Sequence, residues 1–153
     1  MLNRRRAVFF FLTLVFCAPA SRLRAADGDD MSAAAAMRYQ TGLAYERLGR
    51  LEESYPELQL ACNLAPDNSQ MSLALGIVAC RLARYDEGRR ALEHSIALDA
   101  SSTASYYQLA LLYETKGLAD RAIESWQRFL QLSQDALLKD EAEKHIRYLQ
   151  GGR

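Results

Sequence analysis

The sequence predicts an all-α chain in which three helical hairpins stack and a C-terminal helix closes the stack. Half of the 153 residues are apolar and a quarter are charged, the balance of an ordinary globular domain. Only three prolines and eight glycines interrupt the chain, so long helices fit it more easily than strands. Most telling, one stretch of sequence recurs in register every 34 residues, the mark of a repeat architecture.

Taken in order, residues 1–20 read as an export signal. Arg4, Arg5 and Arg6 form a cationic start, Ala7 to Cys17 an apolar stretch rich in Phe and Leu, and Ala18-Pro19-Ala20 a small-residue cleavage site. The apolar run falls short of the roughly 20 residues that a bilayer span needs, so no membrane insertion is expected once the signal is removed. Arg5-Arg6 faintly resembles a twin-arginine signal, although the Phe-rich core suits the general secretory route better. Leu14-Val15-Phe16-Cys17 resembles a lipoprotein box, the lesser alternative, because Phe16 stands where that motif carries Gly, Ala or Ser. The expected destination is the periplasm or the medium. Residues 21–33 are small or polar and read as a disordered lead-in.

Residues 34–150 form the expected domain. Leu43-Ala44-Tyr45-Glu46-Arg47-Leu48-Gly49-Arg50 corresponds at the offset of 34 to Ile77-Val78-Ala79-Cys80-Arg81-Leu82-Ala83-Arg84, and then to Leu111-Leu112-Tyr113-Glu114-Thr115-Lys116-Gly117-Leu118. Small residues recur at Gly42, Gly76 and Ala110, and again at Ser54, Gly88 and Ala122, while large apolar ones recur at Leu58, Leu92 and Trp126. Short side chains inside apolar helices let the axes approach to about 8 Å. Gly49, Ala83 and Gly117 fall where a first helix must stop and turn, a place for residues that tolerate αL or tight geometry. Each unit, 35–68, 69–102 and 103–134, therefore reads as helix, turn, helix.

Period and residues resemble the tetratricopeptide repeat. The first unit carries Gly42, Tyr45, Ala61 and Pro66, the second Leu75-Gly76 and Leu92, the third Tyr106, Leu109-Ala110, Tyr113, Ala122 and Trp126. Departures from that pattern are Ala100 and Gln134 at the places corresponding to Pro66, and Ala79 at that of Tyr45. Pro56 lies just past the first turn of its helix, which predicts a late start or a bend in 52–65. Residues 135–149 carry Leu138, Ala142, Ile146 and Leu149 on one face and Lys139, Asp140, Glu143, Lys144 and Arg147 on the other. Such a helix covers the open apolar end of a repeat stack, and Gly151 reads as its stop.

The resemblance implies a right-handed superhelical stack whose first helices line a concave groove. The groove places it assigns are held by Tyr39, Leu43 and Arg47, by Leu73, Ile77 and Arg81, and by Tyr107, Leu111 and Glu114. That gives an apolar floor with an arginine rim, suited to an amphipathic helix or an extended apolar segment of another protein. The carboxylate clamp that some members use for acidic C-terminal tails is absent, since Tyr39, Leu43, Ala74, Ala104 and Gln108 stand at its places.

Charge excludes other partners. The whole chain carries 19 basic and 19 acidic residues, and loss of Arg4, Arg5 and Arg6 with the signal leaves 16 against 19, about −3. No basic field draws in nucleic acid or an anionic membrane. Cys62, Cys80, His94 and His145 lack the paired spacings of a zinc site, so no metal or other cofactor is expected. Cys62 and Cys80 fall inside helices at places for small apolar residues, with a disulfide between them as the lesser alternative. Acidic residues at Glu52-Glu53, Asp86-Glu87 and Asp120 sit in first turns, where they suit the helix dipole. No nucleophile, base or carboxylate pair suggests an enzyme. The chain is expected to be a small exported bacterial adaptor or scaffold that holds a segment of an envelope protein, the alternative being a periplasmic holdase-type chaperone.

Overall fold

The computed structural model describes residues 20–151, and the export signal expected at 1–20 lies outside that range apart from Ala20. Seven α-helices occupy the described residues: α1 (Ala20–Arg47), α2 (Leu51–Leu64), α3 (Ser69–Arg81), α4 (Tyr85–Leu98), α5 (Thr103–Thr115), α6 (Ala119–Leu132) and α7 (Ala136–Gly151). None is long and apolar enough to cross a membrane. Helices pair as α1–α2, α3–α4 and α5–α6, and each hairpin packs on the next through α2–α3 and α4–α5, with α7 against α6.

Each first helix ends in the same backbone closure. Arg50, Arg84 and Leu118 donate their N–H to the carbonyls of Tyr45, Ala79 and Tyr113, at 2.9, 2.8 and 2.8 Å. Gly49, Ala83 and Gly117 donate to Glu46, Cys80 and Glu114, at 3.0, 3.0 and 2.9 Å. This paired pattern needs a left-handed residue just past the helix, and φ is +72° at Gly49, +58° at Ala83 and +70° at Gly117. The turns expected at these places are thus left-handed in all three units.

Within each hairpin the small residues set the crossing distance. A Cβ on Gly42 would lie 2.7 Å from Leu58, and one on Gly76 would lie 2.7 Å from Leu92. Leu58, Leu92 and Trp126 are completely buried at these crossings. Where the backbones meet, the Ser54 hydroxyl donates to the Gly42 carbonyl at 2.8 Å, and the Ser95 hydroxyl to the Ser69 carbonyl at 2.8 Å. No buried side-chain N or O among the described residues lacks a partner. Both thiols are free and sit in separate clusters, Cys62 beside Ala61 and Met71, Cys80 beside Leu92 and Leu109.

Three details differ from the sequence expectation. The lead-in read as disordered at 21–33 is the start of α1. Asp29–Ala34 of this helix are exposed. Among the residues from Asp29 onward Ala35 is the first buried one, which is where the first repeat was placed. Pro56 does not delay α2, which begins at Leu51 and runs unbroken to Leu64. Pro56 and Glu52 are both exposed, so the Glu52 carbonyl that loses its helical N–H partner faces water. Finally, α7 includes Gly151 and starts after Asp135, whose carboxylate accepts the N–H groups of Leu137 and Leu138 at 2.9 and 3.2 Å.

Candidate functional site

The backbones of α1 and α3, and of α3 and α5, approach within 8 Å, whereas those of α2 and α4, or α4 and α6, do not. First helices therefore crowd together on the inner side of the curve while second helices fan out on the outer side. The inner face of α1, α3 and α5 is the concave surface, as expected of a stack of hairpins.

The nine expected groove residues lie on these three helices, and none is fully buried. They are not equivalent. Tyr39 and Leu43 pack partly on the cluster of Tyr55, Leu58 and Val78, and burial pushes the Tyr39 phenol above its ordinary value. Leu73 leans on the Leu92 and Leu109 cluster. Tyr107 and Leu111 lean on the cluster of Trp126 and Phe129, with the Tyr107 ring edge-on to Trp126 at 5.1 Å and to Phe129 at 5.5 Å. Tyr107 thus holds the third hairpin together as much as it lines the groove. Ile77 is partly exposed at the centre of the row and belongs to none of the four core clusters, which makes it the apolar groove side chain least committed to the fold.

The rim carries less free positive charge than expected. Arg81 of α3 is ion-paired with Glu46 of α1 across the groove, and Arg47 has no ion pair among the described residues. Glu114 is already engaged: it accepts the Trp126 indole N–H at 2.5 Å and pairs with His145 of α7 at 2.9 Å. His145 also stacks on Trp126, with ring centres 4.8 Å apart, and the Tyr107 hydroxyl donates to Glu141 of α7 at 3.2 Å. Burial and the Glu141 carboxylate both push the Tyr107 phenol up. Glu46 and His145 were missed as inner-face residues, as was Glu141 at the edge of α7. The signal was present, because Tyr107 and Glu141 differ by one repeat length, which places α7 as the first helix of a fourth unit.

Two outer clefts lie between neighbouring second helices, of about 560 Å³ near α4 and α6 and about 550 Å³ near α2 and α4. Internal pairs span both. In one, Arg89 and the Tyr113 hydroxyl meet Glu93 at 2.7 and 3.2 Å. In the other, the Tyr55 hydroxyl donates to Glu87 at 2.5 Å and Arg84 lies 4.5 Å above the Tyr55 ring. Cys62 lines the second cleft, as do Ser72 and His94, which meet at 3.0 Å. Burial pushes the Cys62 thiol up, the opposite of an activated nucleophile. No group of three potential metal ligands occurs among the described residues.

Hairpins of one length, left-handed turns in register and a concave row of first helices define a helical-repeat solenoid. The family model for the tetratricopeptide repeat matches residues 35–68 and 103–135, so the first and third hairpins are tetratricopeptide repeats. Solved structures agree in fold. The first such domain of Spaghetti (RPAP3), bound to the HSP90 peptide SRMEEVD, is 18% identical with a TM-score of 0.72, over 79% of this chain and 94% of that one. The Yersinia enterocolitica type III secretion chaperone SycD, in complex with a peptide of the translocator YopD, is 16% identical with a TM-score of 0.71, over 74% and 90%. The Arabidopsis OM64 domain is 14% identical with a TM-score of 0.73, over 77% and 98%. No curated protein matches the sequence.

Proposed function

We propose that this chain is an exported, non-enzymatic adaptor that holds a helical or extended apolar segment of another envelope protein in the groove of α1, α3 and α5. The observation that carries the reading is the row of partly exposed apolar side chains on the inner face, with Ile77 at its centre and outside every core cluster. A row of that kind gains from being covered, and its spacing of one helix to the next suits a segment laid across the first helices. Structures of similar fold include domains solved with bound peptides, RPAP3 with an HSP90 peptide and SycD with a YopD peptide. An acidic C-terminal tail is not the ligand expected here, because among the described residues the groove offers one unpaired arginine, Arg47, rather than a clamp.

A holdase-type chaperone is the second reading, favoured by the fold likeness to SycD. Tagged protein recovered from the envelope separates the two. The adaptor reading expects one stoichiometric partner that is lost on Ile77→Arg. Many substoichiometric clients favour the chaperone. Retention of the same partner by Ile77→Arg refutes the groove. Export rests on the residue 1–20 pattern, and mass spectrometry of the mature N-terminus is expected to find Ser21; an acylated Cys17 overturns that cleavage site.

A further inference from the structure

The side of α7 facing away from α6 carries a second apolar feature, separate from the groove. Leu137 is 83% exposed and Tyr148 78% exposed, more than any other large apolar side chain among the described residues. With Ala142 turned fully inward, the 100° step of a helix puts Leu137, Lys144 and Tyr148 on the opposite side, with Asp140 and Glu141 flanking them, Glu141 at the edge where its carboxylate also accepts the Tyr107 hydroxyl at 3.2 Å. The outer stripe therefore reads apolar, acidic, basic, apolar along the helix.

That stripe is complementary to itself. Leu137 and Tyr148 are centred on the same point, between Ala142 and Glu143, as are Glu141 and Lys144. Two α7 helices laid antiparallel about a two-fold axis at that point would place Leu137 against Tyr148 of the other copy. The same register sets Glu141 against Lys144, and both contacts occur twice. A two-fold interface needs this self-matching, which a surface shaped for a different partner has no reason to possess. Lys144 already meets Asp140 of its own helix at 2.5 Å and would then sit between two carboxylates. We propose that the outer face of α7 is a homodimer interface whose occupant is α7 of a second copy. One helix about 24 Å long makes a small interface, so the dimer is reversible and concentration-dependent.

Sedimentation equilibrium on the chain, as its expressing cell produces and processes it, tests this. The weight-average mass is expected to rise from that of a monomer toward twice that value with concentration, less so in high salt. Leu137→Asp with Tyr148→Asp should hold the monomer mass at every concentration, as should Lys144→Glu alone, which opposes Glu141, and Glu141→Lys alone, which opposes Lys144. An equimolar mixture of those two single variants should regain association, because each contact then joins opposite charges. Circular dichroism checks that every variant keeps its helix. A wild-type chain that stays monomeric overturns the interface, and a mixture that stays monomeric overturns the register. Ile77→Arg should dimerise like the wild type, which keeps this test independent of the groove.

Discussion

Ala83→Gly should stabilise the protein, although glycine normally weakens a helical domain. Ala83 is the only non-glycine residue with positive φ among the described residues, at +58°, and its two counterparts in the repeat are Gly49 and Gly117. Left-handed geometry costs an L-residue about 1–2 kcal/mol. Against this, glycine adds unfolded-chain entropy worth about 0.4–1 kcal/mol. The difference leaves a gain of about 0.5–1 kcal/mol. No helical hydrogen bond changes, because the N–H of residue 83 still reaches Cys80 and that of Arg84 still reaches Ala79. At roughly 3–5 °C per kcal/mol for a domain of this size, the melting temperature should rise by about 2–4 °C. Thermal and urea melts followed by circular dichroism measure it. Gly49→Ala is the mirror experiment and should lose a similar amount. A fall of about 1 kcal/mol for Ala83→Gly, the cost of glycine in a helix interior, would refute the left-handed turn.

Gly76→Val drives side-chain atoms into Leu92, where a Cβ alone would already stand 2.7 Å away, and should cost about 2–3 kcal/mol in a urea melt. Trp126→Ala empties the crossing of the third hairpin, removes the stacking surface of His145 and should cost about 3–5 kcal/mol, with α7 the first element to lose hydrogen-exchange protection. Ile77→Arg should change stability by less than about 1 kcal/mol because no core cluster includes it, whereas Tyr107→Ala should cost more through its contacts with Trp126 and Phe129. Burial raises the Cys80 thiol from an ordinary value near 9 to about 11. Alkylation of Cys80 at pH 8 should therefore run about 100-fold slower in the folded protein than in the unfolded chain. Since the folded value is the higher one, the stability associated with this thiol is present below pH 9 and declines as pH rises toward about 11.

Much of this protein was legible from residue order, because a repeat writes its geometry several times. The period located all three hairpins, and Gly42, Gly76 and Ala110 named the crossings before any contact was known. Gly49, Ala83 and Gly117 marked turns that are indeed left-handed. Those features are local, or recur at a fixed spacing, so sequence alone determined them. The helical state of residues 21–33 was not legible, since the segment carries no apolar periodicity and Asp27-Gly28-Asp29-Asp30 are poor helix formers.

Tertiary structure decided which groove side chains are free. Tyr107 and Ile77 occupy comparable inner-face positions in the pattern, yet Trp126 and Phe129 capture one while the other joins no cluster. Glu114 read as part of a binding rim until α7 brought His145 beside it. Arg81 read as free until α1 supplied Glu46. Periodicity tells which side of a helix a residue occupies. What touches it there depends on neighbours on other helices, 19 to 35 residues away along the chain, and only the assembled stack brings them together.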